Sequence, residues 1–143
     1  MIELEKEEEM YLSRPAEYAL RAMTYLARLE PDRRIRSSDL AKAANIPAAF
    51  LSKIMRRLVS NGLVDAKKGH NGGFILARAA EEISFIDILR AVGFEPAADH
   101  CLFGLGNCDS QHPCPLHREW SILKDQIELW ASSHTLGDSL EGY

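Results

Sequence analysis

A mainly α-helical chain carrying one small β-hairpin is predicted by three features of the 143-residue sequence. Apolar residues recur at helical spacing in several separate stretches. A glycine-rich turn, Lys68-Gly69-His70-Asn71-Gly72-Gly73, sits between two short apolar runs, the pattern of a hairpin. The last helical stretch keeps a period near 3.5 residues from Leu116 through Trp120, Leu123 and Ile127 to Trp130, which suits a seam between two helices.

The elements follow in order. Residues 1–9 form an acidic N-terminal tail without apolar periodicity. A first helix is expected near Ser13 and Pro15, since proline is tolerated in an opening turn, with Tyr18, Ala22, Tyr25, Leu26 and Leu29 on one face. Pro31-Asp32 ends it. Ser37 or Ser38 is expected to cap a short helix bearing Leu40, Ala41 and Ala44, with Asn45 as a left-handed stop. Pro47 opens the next helix, which carries Ala48, Leu51, Ile54, Met55 and Leu58 inward and ends at Asn61-Gly62. Two short helices around a tight turn, the second with basic residues on its free face, make a helix-turn-helix. The strands 63–67 and 74–77 immediately behind it then read as a wing. Ser84 and Asp87 stand at capping-box spacing ahead of Ile86, Leu89 and Ala91, and Gly93 stops that helix.

The predicted fold is therefore a winged helix-turn-helix followed by a long dimerisation helix. Its organisation is an acidic tail at 1–9, a winged helix-turn-helix domain at 10–93, a cysteine-rich loop at 94–114, the dimerisation helix at 115–133 and a C-terminal tail at 134–143.

Composition narrows the function. Hydrophobic residues make up 46% and charged residues 27%, so the chain can bury a core and is not disordered as a whole. No apolar run approaches the roughly 20 residues that cross a bilayer. The stretch Met1–Met10 carries five Glu and one Lys, unlike a basic signal peptide, and a cytoplasmic protein without membrane association is expected. The net charge of -4 hides a partition. Residues 1–32 hold four Lys/Arg and eight Asp/Glu, and residues 79–143 hold three and eleven; residues 33–78 hold ten against only Asp39 and Asp65. A basic block inside an acidic chain is the footprint of a polyanion-binding surface, and here it coincides with the helix-turn-helix and wing. Ser37, Ser38, Arg56, Lys67 and Lys68 are candidates for phosphate contacts, and Ala49, Phe50, Lys53, His70 and Asn71 for the surface turned toward the bases.

Three cysteines cannot close into a self-contained disulfide framework. Cys101 and Cys108 are separated by six residues, Cys108 and Cys114 by five, and His117 follows two residues beyond, in a loop containing Gly104 and Gly106. Soft thiolates suit an iron–sulfur cluster, zinc or Cu(I). Structural zinc usually uses closely spaced pairs, whereas this wide spacing fits the larger perimeter of a cluster.

The basic wing, Cys101, Cys108, Cys114 and the C-x-x-H-x-x-W run of Cys114, His117 and Trp120 together resemble the iron–sulfur-cluster winged helix-turn-helix transcription regulators of the IscR, NsrR and RirA type. The stretches 10–23 and 62–74 resemble the same family's opening helix and its recognition-helix exit and wing. The resemblance covers residues 10–133. It implies a homodimer on a near-palindromic double-stranded DNA operator, with Cys101, Cys108 and Cys114 as cluster ligands. The fourth ligand it implies is His117, as in a 2Fe–2S site, or Glu17 contributed by the other subunit, as in a 4Fe–4S site. The chain departs from the pattern in its first nine residues, in its first cysteine gap, and in Ala49, Phe50 and Lys53, at positions where proteins of the IscR type carry more polar side chains. The function so implied is sequence-specific transcription regulation sensing redox, nitric oxide or iron status. Its rivals are a regulator of the same fold using structural zinc or cluster-free thiols, and an iron–sulfur electron-transfer protein. No phosphate loop, nucleophile triad or carboxylate pair points to an enzyme.

Overall fold

The computed structural model describes residues 12–96, 111 and 113–141. Helix α1 spans Arg14–Arg28, and the Ser13 hydroxyl at its N-cap accepts the Ala16 N–H at 3.3 Å. Its buried face is lined by Ala16, Ala19, Ala22, Met23 and Leu26. The small alanines let other elements approach the α1 backbone closely. Tyr18 is buried as expected, while Tyr25 and Leu29 are half-buried at the edge of the core.

Helices α2 (Ser37–Ala44) and α3 (Ala48–Ser60) form the tight pair read from the sequence. Asn45 between them is left-handed, at φ 52° and ψ 55°. Two local expectations are corrected. Arg36, not Ser37 or Ser38, occupies the N-cap of α2, because it is the last extended residue and its carbonyl accepts the Leu40 N–H. Ala48, expected inside, is exposed: it lies in the first turn of α3, beyond the reach of the stripe Leu51, Ile54, Met55 and Leu58 that fills the core. A side-chain clamp joins this pair to α1. Arg21 donates to the Ala44 and Asn45 carbonyls at 3.2 and 3.0 Å and to Glu17 at 2.8 Å. Its charge thus meets the carbonyl end of α2, where a cation is favoured.

Strands β1 (Val64–Lys67) and β2 (Gly73–Leu76) pair antiparallel in the register Val64 to Leu76 and Lys67 to Gly73. Gly62, with φ 74°, lets the chain leave α3 and turn into β1. The hairpin is backed by the linker between α1 and α2. Ile35 and Phe74 exchange both backbone hydrogen bonds, at 3.1 and 2.8 Å.

Helix α4 (Phe85–Ala91) begins with the expected capping box between Ser84 and Asp87 and buries Ile86, Ile88 and Leu89. Gly93, at φ 82°, follows it. Helix α5 spans His117–Ser133 and packs on α4, burying Lys124 and Ala131 and holding Trp130 against Phe85 with ring centroids 5.6 Å apart. Most of its apolar seam is left open. Leu116, Leu123 and Trp130 are exposed, Trp120 and Ile127 are half-buried, and Ile122 and Leu129 on adjoining faces stand 52% and 62% exposed.

The stretch expected as a C-terminal tail is, over its described residues, a folded part of the core. A 3-10 helix at Leu136–Leu140 carries a capping box between Thr135 and Asp138. The Phe85 N–H donates to the His134 carbonyl at 3.0 Å, and the Leu136 N–H to that of Ile83 at 2.7 Å. Leu136 is completely buried against α1 and the turn before α4. The short polar run concealed this because a single apolar residue, without periodicity, supplies the anchor. Leu136→Ala is therefore expected to destabilise the protein by about 2–5 kcal/mol, the range for a truncated core leucine. Urea denaturation followed by circular dichroism measures this, and a change within error would show the segment to be dispensable.

Candidate nucleic-acid interface and metal centre

Helix α3 presents Ala49, Lys53 and Arg56 at spacings of four and three, so these residues share one exposed face. Phe50 is beside them and 42% exposed. One side of its ring meets Tyr18 edge-on at 5.7 Å, and the Arg21 guanidinium lies 5.4 Å from the Tyr18 ring centre. The start of α3 is thus held by a column built on α1. Of the two adjacent arginines, Arg56 belongs to the free face. Arg57 turns back and donates to the Val92 carbonyl at 2.9 Å, tying α3 to the end of α4.

The wing carries Lys67, Lys68, His70 and Asn71, all exposed. Its tip is shaped by Gly69 at φ 86° and Asn71 at φ 57°, with the Gly72 N–H bonded to the Gly69 carbonyl at 3.0 Å. Two arginines outside the expected set hold the wing in place. Arg34 pairs with Asp65 at 2.6 Å and also donates to the Gly73 carbonyl at 3.2 Å, while Arg36 donates to the Gly69 carbonyl at 3.2 Å. Only Arg34 has an acidic partner. Among the described residues, Arg33, Arg36, Lys53, Arg56, Lys67 and Lys68 form no ion pair. Their positive charge is uncompensated, as expected of a surface that meets a polyanion.

Two clefts flank this strip. One, of about 350 Å³, brings Ser37 of α2 together with Lys67 and Lys68 of the wing. The other, of about 810 Å³, is shared by Lys67, His70 and Asn71 with Arg33, Arg34 and Arg36. Ser38 is exposed beside Ser37 on α2. The α3 face lines neither cleft, so the exposed basic face of α3 and the wing-side cationic strip are separate surfaces. Arg33, Arg34 and Arg36 were missed as site residues. Their signal was the density of arginine just before α2, counted in the basic block but not placed.

Of the candidate metal ligands, Cys101 and Cys108 lie outside the described residues. Cys114 and His117 are both half-buried at the root of α5, where the His117 N–H donates to the Cys114 carbonyl at 3.1 Å. A thiol and an imidazole one turn apart at a helix N-terminus are chemically fit to hold an iron–sulfur centre, since the helix end favours a thiolate. Ser121 Oγ lies 3.5 Å from His117 Nε2, one turn further on. Glu17 is placed differently, with its carboxylate on Arg21 inside the α1–α2 clamp. Among the described residues no three His, Cys, Asp or Glu side chains gather as a metal site.

One guanidinium of α4 reaches both the start of the cysteine-bearing segment and the middle of α5. Arg90 donates to Glu95 at 3.0 Å and to Glu128 of α5 at 2.8 Å. The hydrogen bonds that Arg90 donates to Glu95 raise its pKa above the ordinary arginine value. Arg57 continues the connection from the end of α4 to α3.

The family described as Rrf2, iron-dependent transcriptional regulator, matches residues 12–142. An HTH-type transcriptional regulator of Aquifex aeolicus is 36% identical over 131 residues, covering 90% of each chain. IscR of Escherichia coli is 29% identical over 129 residues, covering 90% of this chain and 79% of its own. Among solved structures, T. potens IscR matches with a TM-score of 0.73 at 25% identity, covering 92% of this chain and 87% of that one. CymR, the global cysteine regulator of B. subtilis, shares the fold with a TM-score of 0.75 at 22% identity, over 91% and 95% of the two chains. Among the described residues no helix is long and apolar enough to cross a membrane.

The wing's placement can be tested at Gly73. This residue has φ 132°, and a Cβ there would come 2.5 Å from the Ile35 carbonyl oxygen. Gly73→Ala is expected to cost about 1–3 kcal/mol and to weaken DNA binding, as backbone strain and the lost pairing both act on the wing. Chemical denaturation together with fluorescence anisotropy on duplex DNA reads both effects. Unchanged stability would mean that the linker and wing are not in contact.

Proposed function

This chain belongs to the Rrf2 family of transcriptional regulators, and within it we propose a homodimeric, sequence-specific DNA-binding regulator whose state is set by an iron–sulfur cluster. Its relatives are transcription regulators, and its function is DNA binding in transcription control rather than catalysis. The observation that carries the finer reading is the coincidence of an uncompensated cationic wing and α3 face with the Cys114–His117 pair at the root of α5. The IscR relatives add support for a cluster.

In this reading Cys101, Cys108 and Cys114 supply three ligands and His117 the fourth, which favours a 2Fe–2S centre. Glu17 is the weaker candidate, because its carboxylate is engaged by Arg21 within a clamp that a ligand role would have to break. The cluster would supply a redox- and nitric-oxide-sensitive centre. The protein's own part is mechanical. Arg90 of α4 holds Glu95, at the start of the cysteine segment, and Glu128 of α5, and Arg57 joins α4 to α3, so a shift of α5 or of the segment's start would bear on α3 through these contacts. Lys53 and Arg56 of α3 would enter the major groove with Ala49 and Phe50, while His70 and Asn71 at the wing tip meet the neighbouring groove and Ser37, Ser38, Lys67 and Lys68 meet phosphates.

Dimerisation is supported by the open seam of α5. Leu116, Ile122, Leu123, Leu129 and Trp130 leave an apolar face uncovered on a helix that packs only one side on its own subunit. A two-fold pair joined there would present two reading helices to a near-palindromic operator.

A second reading keeps the same fold and DNA role but senses through reversible oxidation of cysteine thiols. The likeness to Staphylococcus aureus CymR in its oxidised form, at 26% identity and a TM-score of 0.71, favours it. Anaerobic native mass spectrometry distinguishes the two. Dimers carrying iron and acid-labile sulfide, lost in Cys114→Ser, are expected; colourless dimers that take up no iron on reconstitution would leave the thiol reading. Holo and apo protein are expected to differ in operator affinity by about 5- to 150-fold, the span of an ordinary allosteric coupling. Identical affinities at fixed salt would remove the switching role. Leu123→Glu is expected to yield a folded monomer by light scattering with much weaker operator binding, and a persisting dimer would place the interface elsewhere.

A further inference from the structure

The smaller wing-side cleft has a composition that sets it apart from the rest of the cationic strip. Its charged lining is Arg36, Lys67 and Lys68, with the Ser37 hydroxyl beside them and no carboxylate. The neighbouring larger cleft contains Asp32 and Asp39 as well as arginines, so its field is partly cancelled. None of Arg36, Lys67 and Lys68 forms an ion pair among the described residues. Ala66 and Phe74 complete its lining. The walls belong to different elements: Arg36 and Ser37 come from the start of α2, and the lysines from the wing.

We propose that this notch seats a single phosphodiester of the DNA backbone, held jointly by Arg36, Lys68 and Ser37, so that one phosphate bridges the helix-turn-helix and the wing. The proposal rests on the DNA-binding reading above and adds Arg36, which that reading leaves out. Arg36 is suited to the task because one of its nitrogens already donates to the Gly69 carbonyl. That bond fixes the guanidinium fork against the wing tip and leaves its other N–H groups to turn toward an anion. Lys67, which borders both clefts, adds long-range charge. A phosphate in the notch would then fasten the wing in the position that Arg36 already favours.

The test exploits the fact that several side chains serve one phosphate. Affinity of the full-length protein for a mixed-sequence duplex of about 24 base pairs is measured by fluorescence anisotropy across a salt series. Each phosphate neutralised contributes about -0.9 to the slope of log affinity against log salt. Arg36→Gln and Lys68→Gln are each expected to flatten the slope by about one phosphate and to weaken binding about tenfold near 0.1 M salt. The double variant is expected to flatten it by about one phosphate as well, because both changes empty the same seat. A double variant that loses about two phosphates would assign the residues to separate contacts and overturn the shared seat. An unchanged slope in both single variants would overturn it too. A duplex that the parent protein does not bind in a salt-dependent way would instead remove the DNA-binding reading beneath it. Titration calorimetry with inorganic phosphate covers the remaining source. Saturable phosphate binding lost in Arg36→Gln, with the DNA slope unchanged, would make the notch a small-anion site and overturn the proposal. Hydrogen exchange of residues 67–72 checks that Arg36→Gln leaves the wing folded.

Discussion

The reciprocal backbone pairing of Ile35 and Phe74 is the constraint on which the wing-bearing half of this molecule depends. A two-stranded hairpin of four residues per strand is marginal by itself in water. Here the linker between α1 and α2 backs it, and Arg34 and Arg36, on either side of Ile35, reach its base and tip. Those contacts turn a flexible loop into a wing with one orientation relative to α2. Gly73 is required at the point of pairing because any side chain would strike the linker carbonyl. The residues that place the wing and the residues that charge it therefore lie on the same short stretch of sequence.

A second set of contacts ties α3 to the rest of the chain. Tyr18 and Arg21 on α1 hold the start of α3 through Phe50 and the α2 carboxyl end, and Arg57 holds its later turns to α4. These are mostly polar contacts near the surface, individually modest in energy. Their effect is directional: they fix where α3 points, while Leu51, Ile54, Met55 and Leu58 fix how firmly it is held. Arg90, bridging Glu95 and Glu128, extends the same kind of connection to α5.

Much of this was legible in the sequence because it is carried by local rules. Helical periodicity, the Ser84–Asp87 box, the left-handed Asn45 and the glycine turn all act over a few residues and leave a pattern in them. What escaped depends on partners distant in the chain. The role of Arg36 is set by a carbonyl 33 positions away and that of Arg57 by one 35 away, neither of which leaves a spacing signal. Leu136 escaped for a different reason: one apolar residue in a polar run looks like a tail until the pocket that receives it is known. The caps of α2 show the limit of propensity, since the two serines fit the cap role but the extended Arg36 sits one residue earlier. The candidate site divides the same way. The basic faces could be read from charge and helix phase, whereas the seating of Arg21 on the Ala44 and Asn45 carbonyls needed the three-dimensional arrangement.

The return of the chain through Thr135 and Leu136 has a consequence for how the subunit can move. After α5 the backbone comes back to the turn before α4 and inserts beneath α1, so the reading head and the long helix share one hydrophobic interior. The C-terminal end of α5 is thereby moored to the helical core, and a displacement of the helix there would be felt directly beneath α1.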